Sequence, residues 1–160
     1  MLFVQDQDGA YLPAPKKVVL TEANKLMGSQ LQRGALILSA DCAKAVVGYK
    51  LRNRQHEVFA CLFLDCRHRV LVFKELFFGT INHTTVHPRV IVKEALQLNA
   101  AAVILAHNHP SGENQPSKQD ITLTNTLAGI LHVIDVRVLD HLIIGDEVTA
   151  FSDLGLLPDK

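Results

Sequence analysis

An α/β domain built on a mixed β-sheet flanked by helices is what the 160-residue sequence predicts, on three observations. The run Val58-Phe59-Ala60-Cys61-Leu62-Phe63-Leu64 is apolar at every position, as a strand covered on both faces must be. The turn Asp65-Cys66-Arg67-His68 then leads into Arg69 to Phe78, which reads as its antiparallel partner. Segments with helical spacing are interleaved with these runs and with later strand-length ones.

Taken in order, residues 1 to 20 carry Pro13, Pro15, Lys16 and Lys17 without a clear period and read as an extended arm. Thr21 reads as the N-cap of a helix from Thr21 to Arg33, with a partial stripe at Leu26, Met27, Gln30 and Leu31. Ser39 or Asp41 caps the next helix, on which Ala43, Val46, Val47 and Leu51 recur at helical spacing. The polar stretch Arg52 to His56 ends at Glu57, the residue before the first strand, and Gly79 breaks the second. Pro88 opens a helix to about Leu98, because its missing N–H would be unpaired there anyway. Ala100 to Ala106 is a strand, and Ser117 to Leu131 a helix with Ile121, Thr124, Leu127, Ala128 and Leu131 on one side. Val133 to Leu139 and His141 to Ile144 read as two short strands, and Phe151 to Leu157 as a closing apolar patch.

Composition narrows the setting. Apolar residues make up 48%, enough for a sizeable core, and no run approaches the ~20 residues of a membrane helix. Met1 to Tyr11 lack the basic start and apolar stretch of a signal peptide. Cys42, Cys61 and Cys66 form an odd set, expected to be reduced cytoplasmic thiols. Cys61 and Cys66 are an odd number of residues apart, so they face opposite ways and make a poor metal clamp. Sixteen basic residues balance sixteen acidic ones, which leaves no field to gather nucleic acid. The local run Lys50, Arg52 and Arg54, with Arg67 and Arg69 after it, reads as a solvated helix end and turn.

The chemistry-bearing stretch is Ala106-His107-Asn108-His109-Pro110-Ser111-Gly112, followed by Ser117-Lys118-Gln119-Asp120. Residues two apart on an extended segment point the same way, so His107 and His109 can offer both imidazoles to one ion, while Asn108 points elsewhere. Asp120 returns on the first turn of a helix. Two imidazoles and a carboxylate leave the fourth tetrahedral position open, the pattern of a catalytic Zn2+ site. Ser117 and Asp120 also fit a capping box, which is compatible with one carboxylate oxygen facing a metal.

The spacing His107-x-His109, Ser117, Asp120 resembles the signature of the JAMM (JAB/MPN) metalloprotease domains. The words Phe78-Gly79-Thr80-Ile81-Asn82, Val86-His87-Pro88-Arg89, His107 to Gly112 and Asp140-His141-Leu142-Ile143-Ile144-Gly145 are similar to the RadC-like (UPF0758) branch. The resemblance spans roughly Leu38 to Leu157 and implies residues 1–37 as an arm and helix and residues 38–160 as the MPN domain, of cytidine-deaminase-like architecture. It implies Zn2+ held by His107, His109 and Asp120, and an upstream glutamate that shuttles the proton of the attacking water. The match is Glu57; Glu75 and Glu94 compete less well. By the same resemblance Ser117 assists the oxyanion, and His83, His87 and His141 are candidates for the site rim for which structural roles are favoured.

The chain departs from the branch at Val90, where an acidic residue often follows the Pro-Arg pair. The arm also lacks the helix-hairpin-helix of longer relatives, its glycines before Gly34 being only Gly9 and Gly28, so a DNA-repair role is not carried over. The implied function is zinc-dependent cleavage of a peptide or isopeptide bond in a peptide or protein substrate. The alternatives are a non-catalytic MPN interaction module and a DNA-repair-associated factor. A nucleobase deaminase is excluded, since its His-x-Glu and Pro-Cys-x-x-Cys pieces are absent.

Overall fold

The computed structural model describes residues 2–5, 7–79 and 85–158. The chain opens on a small antiparallel hairpin, β1 (Phe3–Gln5) with β2 (Tyr11–Pro13), and runs at once into α1 (Lys16–Gln30). The extended arm expected over residues 1 to 20 is thus part hairpin and part helix. Thr21 lies inside α1 rather than at its start. Its hydroxyl donates to the Lys17 carbonyl at 2.9 Å, so it bonds back into the preceding turn instead of capping a following one. Pro15, extended at ψ 142°, holds the cap position, and Leu31 closes the helix before the expected end at Arg33.

α2 (Ala40–Leu51) starts as expected at Ser39, whose hydroxyl accepts from the Cys42 amide at 3.1 Å, with Asp41 in the first turn. β3 (Val58–Leu64) is buried at every residue and pairs antiparallel with β4 (Val70–Phe78). α3 (Pro88–Gln97) carries Pro88 in its first turn. β5 (Ala102–Asn108) begins later and ends later than the expected Ala100 to Ala106. The reason lies in the preceding turn: Asn99 adopts φ 51° and the Ala100 amide donates back to the Ala95 carbonyl, so Ala100 still belongs to the end of α3.

α4 (Lys118–His132) leads into β6 (Arg137–Ile144), then β7 (Val148–Ala150) and α5 (Phe151–Leu154). The two short strands expected on either side of Asp140 are one strand, and β7 lies in a stretch for which the sequence predicts no strand. Asp140 can stay inside a buried strand because its carboxylate is satisfied: it accepts from the His141 amide at 2.8 Å and from the Ser152 amide at 3.1 Å, and from the Ser152 hydroxyl. The interruption survives as a register slip. Val138 pairs with Val103 but Asp140 with Ile104, so Leu139 has no partner in β5.

The main sheet has five strands in the order β4-β3-β5-β6-β7, with β5 and β6 parallel and the other pairs antiparallel. One face packs Ala60, Leu62, Ile104 and Leu142 against Val47 and Leu51 of α2. The other packs Phe59, Phe63, Val103 and Leu105 against Ile91 of α3 and Leu127 and Leu131 of α4. Each such Val, Leu, Ile or Phe side chain, when fully buried, stabilises the fold by roughly 1.5–3 kcal/mol relative to exposure. Helices on both faces of a mixed sheet make this an α/β domain, as predicted. Among the described residues, no helix is long and apolar enough to cross a membrane.

Candidate metal centre

His107 continues the row Val103, Leu105 on the face that carries α4, at the end of β5 where strand gives way to loop. His109 follows two residues on, its amide donating to the Ile144 carbonyl at 2.9 Å. The parallel β5–β6 connection returns through α4, whose first turn therefore stands above the same strand end. That turn brings Asp120 to the two imidazoles. His107 Nε2 lies 2.9 Å from His109 Nε2 and 3.2 Å from Asp120 Oδ1, and the candidate ligand atoms all lie within 4.8 Å of one another. Tetrahedral zinc with bonds near 2.0–2.1 Å would hold its ligand atoms ~3.3 Å apart.

The donor set fits a cation on its chemistry as well. His109 Nδ1 lies 3.0 Å from the Glu113 carbonyl, which can only accept, so in the neutral ring the proton sits on Nδ1 and Nε2 faces the cluster bare. Asp120 Oδ2 accepts from the Ser117 amide and hydroxyl, both at 2.7 Å, which turns Oδ1 towards His107. Burial opposes ionisation of Asp120, but His107 and the two Ser117 donors outweigh it and hold the carboxyl far below the usual carboxylate range. Its place in the first turn of α4 acts in the same direction. Bare nitrogen and carboxylate oxygen thus surround His107 Nε2, an arrangement that a proton or a metal ion satisfies.

Ser117 forms the capping box the spacing implies: its hydroxyl accepts from the Asp120 amide at 3.1 Å and donates to Asp120 Oδ2. Its proton is therefore directed at the cluster's own carboxylate. Glu57 lines the same cleft, of about 550 Å³, as His107, His109, Ser117 and Asp120. The strand register explains why. Glu57 immediately precedes β3, and Phe59, two residues on, stands opposite His107 in the β3–β5 pair. The segment is held there by Asn108, which points away from the two histidines as its place between them dictates. Asn108 accepts from the Val58 amide at 2.8 Å and donates to the His56 carbonyl at 3.0 Å, while the Glu57 carbonyl receives the Gly79 amide at 2.8 Å. Of the competing acids, Glu75 pairs with Arg54 and Glu94 with Lys74.

The remaining histidines separate. His83 lies outside the described residues, as do Thr80, Ile81 and Asn82 of the first signature word. His87 is exposed at the N-cap of α3 with its ring edge on Phe77. His141 is not on the rim. It is fully buried beneath His107, with Nε2 2.9 Å from His107 Nδ1, and is enclosed by Phe59 and Phe151. Sequence reasoning missed this second layer, and with it Asn108 and Glu113. The signal available was that His141 sits in an otherwise apolar strand pattern, a place where a histidine needs a polar partner.

The described lining of the cleft includes Glu57, Glu113 and Asp120 but no lysine or arginine. Fold and site together define an α/β domain of the JAB/MPN type with a His-His-Asp cluster, able to hold a metal ion, in a cleft at the strand ends. The chain belongs to the RadC-like JAB domain family, whose model matches residues 37–156. It is similar to a UPF0758 protein of Thioalkalivibrio sulfidiphilus, 47% identical over 144 residues that cover 90% of this chain and 65% of that protein. A UPF0758 protein of Nitrosococcus oceani is 52% identical over 128 residues, covering 79% of this chain and 57% of that one. A UPF0758 protein of Vibrio cholerae is 44% identical over 139 residues, covering 87% and 88%. The chain thus spans less than two thirds of the length of the first two relatives and nearly all of the third.

Proposed function

We propose that this chain is a zinc-dependent metallohydrolase that cleaves a peptide or isopeptide amide bond. The observation that carries the reading is the convergence of His107, His109 and Asp120 on one point of a cleft that Glu57 also lines. Zinc bound there supplies Lewis acidity and lowers the pKa of a water ligand from 15.7 towards ~7. His107 and His109 would hold the ion through Nε2 and Asp120 through a carboxylate oxygen. Glu57, on the wall of the same cleft, takes the proton of the attacking water and delivers it to the leaving nitrogen. Ser117, once its hydroxyl turns from Asp120, donates to the developing oxyanion. Phe59 and Leu123 add apolar surface to the wall of the cleft. The substrate is a peptide or protein and the setting cytoplasmic, in keeping with the free thiols of Cys42, Cys61 and Cys66.

The test is hydrolysis of a panel of peptide and isopeptide substrates by the zinc-loaded chain, alongside Glu57→Gln and His107→Ala. Glu57→Gln should bind zinc like the parent yet lose at least 100-fold in rate, the ordinary scale of a general acid–base group. Equal hydrolysis by parent and Glu57→Gln removes Glu57 from the mechanism. A parent that binds no zinc points instead to an MPN interaction module.

A further inference from the structure

The far nitrogen of His107 begins a buried chain of hydrogen bonds that leads back to the cluster. His107 Nδ1 lies 2.9 Å from His141 Nε2, and His141 Nδ1 lies 2.6 Å from the Thr124 hydroxyl. That hydroxyl lies 2.6 Å from the main-chain carbonyl of Asp120, one turn earlier on α4. His107, His141 and Thr124 are all buried. A neutral imidazole carries a single N–H, so the neutral His141 ring donates from one nitrogen and accepts at the other.

These contacts allow two proton orders. In the first, Thr124 donates to the Asp120 carbonyl, His141 donates from Nδ1 to Thr124, and His107 donates from Nδ1 to His141. His107 Nε2 is then bare and faces the cluster. In the second, Thr124 donates to His141, His141 donates from Nε2 to His107, and the remaining ring proton sits on His107 Nε2, where a metal would bind. A hydroxyl at this position permits the first order only if it has an outlet for its own proton while it accepts from His141. Thr124 has that outlet in the Asp120 carbonyl.

Resting on the metal-site reading above, we propose that Thr124 is a positioning residue: acting through His141, it fixes which nitrogen of His107 is left bare for the metal. The chain starts at one ligand residue and ends on the backbone of another, so the helix that supplies Asp120 also sets the tautomer of His107.

The experiment uses the full chain, with zinc affinity measured by competition against a chromogenic chelator. Thr124→Val keeps the shape but removes the acceptor, so His141 holds its proton on Nε2 and His107 holds one where zinc must bind. The expected loss is about 10–100-fold in affinity, the usual effect of an outer partner of a ligand histidine. Thr124→Ser retains the hydroxyl and should bind as the parent does. In parallel, ¹⁵N spectra of the ring nitrogens in the zinc-loaded parent should show His141 protonated on Nδ1. Protonation on Nε2 overturns the proposal, and this reading stands even if Thr124→Val fails to fold. Equal affinity of Thr124→Val and parent overturns it as well. A parent that takes up no zinc overturns the metal-site reading itself, and this inference with it.

Discussion

The carbonyl of Glu113 accepts the Nδ1 proton of His109 at 3.0 Å, and Gly145 stands directly behind it. A Cβ on Gly145 would overlap the carbonyl oxygens of Gly112 and Glu113 and the side-chain oxygen of Asn114. The loop from His109 is stitched to the β6–β7 turn by the Asp146 amide on the Gly112 carbonyl and the Glu147 amide on Asn114 Oδ1. Two signature words far apart in sequence, one with the histidines and one ending in Gly145, therefore meet in space. Gly145→Ala should push Glu113 off His109, free that ring to turn, and weaken zinc binding about 10-fold or more while the fold persists. Chelator competition with a circular-dichroism control checks it.

Metal itself should stabilise the protein. A ligand that binds only the folded state at 1,000 times its Kd adds about 4 kcal/mol. For a chain of this size that is a rise in Tm on the order of 10 °C. Differential scanning fluorimetry with and without zinc should show the rise in the parent, and its loss in Asp120→Ala and His109→Ala. A rise of the same size in either variant would place the ion elsewhere.

Asn108 ties the strand of the histidines to the segment that presents Glu57. Its removal leaves the buried Val58 amide without its side-chain partner and also breaks the part-buried bond to the His56 carbonyl. Asn108→Ala should cost on the order of 1–3 kcal/mol in urea unfolding. Hydrogen exchange should accelerate at residues 54–58. Zinc affinity should hold, because none of the three ligand side chains rests on Asn108.

His141 gives the metal-free protein a pH dependence of known sign. Burial pushes its pKa well below the usual histidine value; the charge of His107 adds to this, Asp120 opposes it, and His109 adds again. The unfolded chain takes up a proton near pH ~6.5 while the folded chain does not. Stability is therefore complete above that pH and falls as the pH drops below it, by at most about 1.4 kcal/mol per pH unit. His141→Gln should flatten the slope between pH ~6.5 and ~5 in denaturant titrations. An unchanged slope would assign the dependence to other groups.

The sequence alone determined the α/β class, because apolar runs of strand length, of which β3 is one, are interleaved with segments of helical spacing. It also determined the order of the cluster, since alternation along the extended segment that closes β5 puts His107 and the following His109 on one side and the Ser117 cap puts Asp120 at the first turn of α4. It misplaced the start of α1 because a threonine can bond back within a helix as readily as cap one, and nothing local distinguishes the two. The second layer was decided only in three dimensions. The slip at Leu139 exchanges the faces of every later residue in β6, and it turns His141 towards Thr124 and His107 rather than towards α2. Such a slip depends on partners distant in sequence, among them Ser152, which satisfies Asp140. Periodicity reports which residues can share a face; packing decides which face they share.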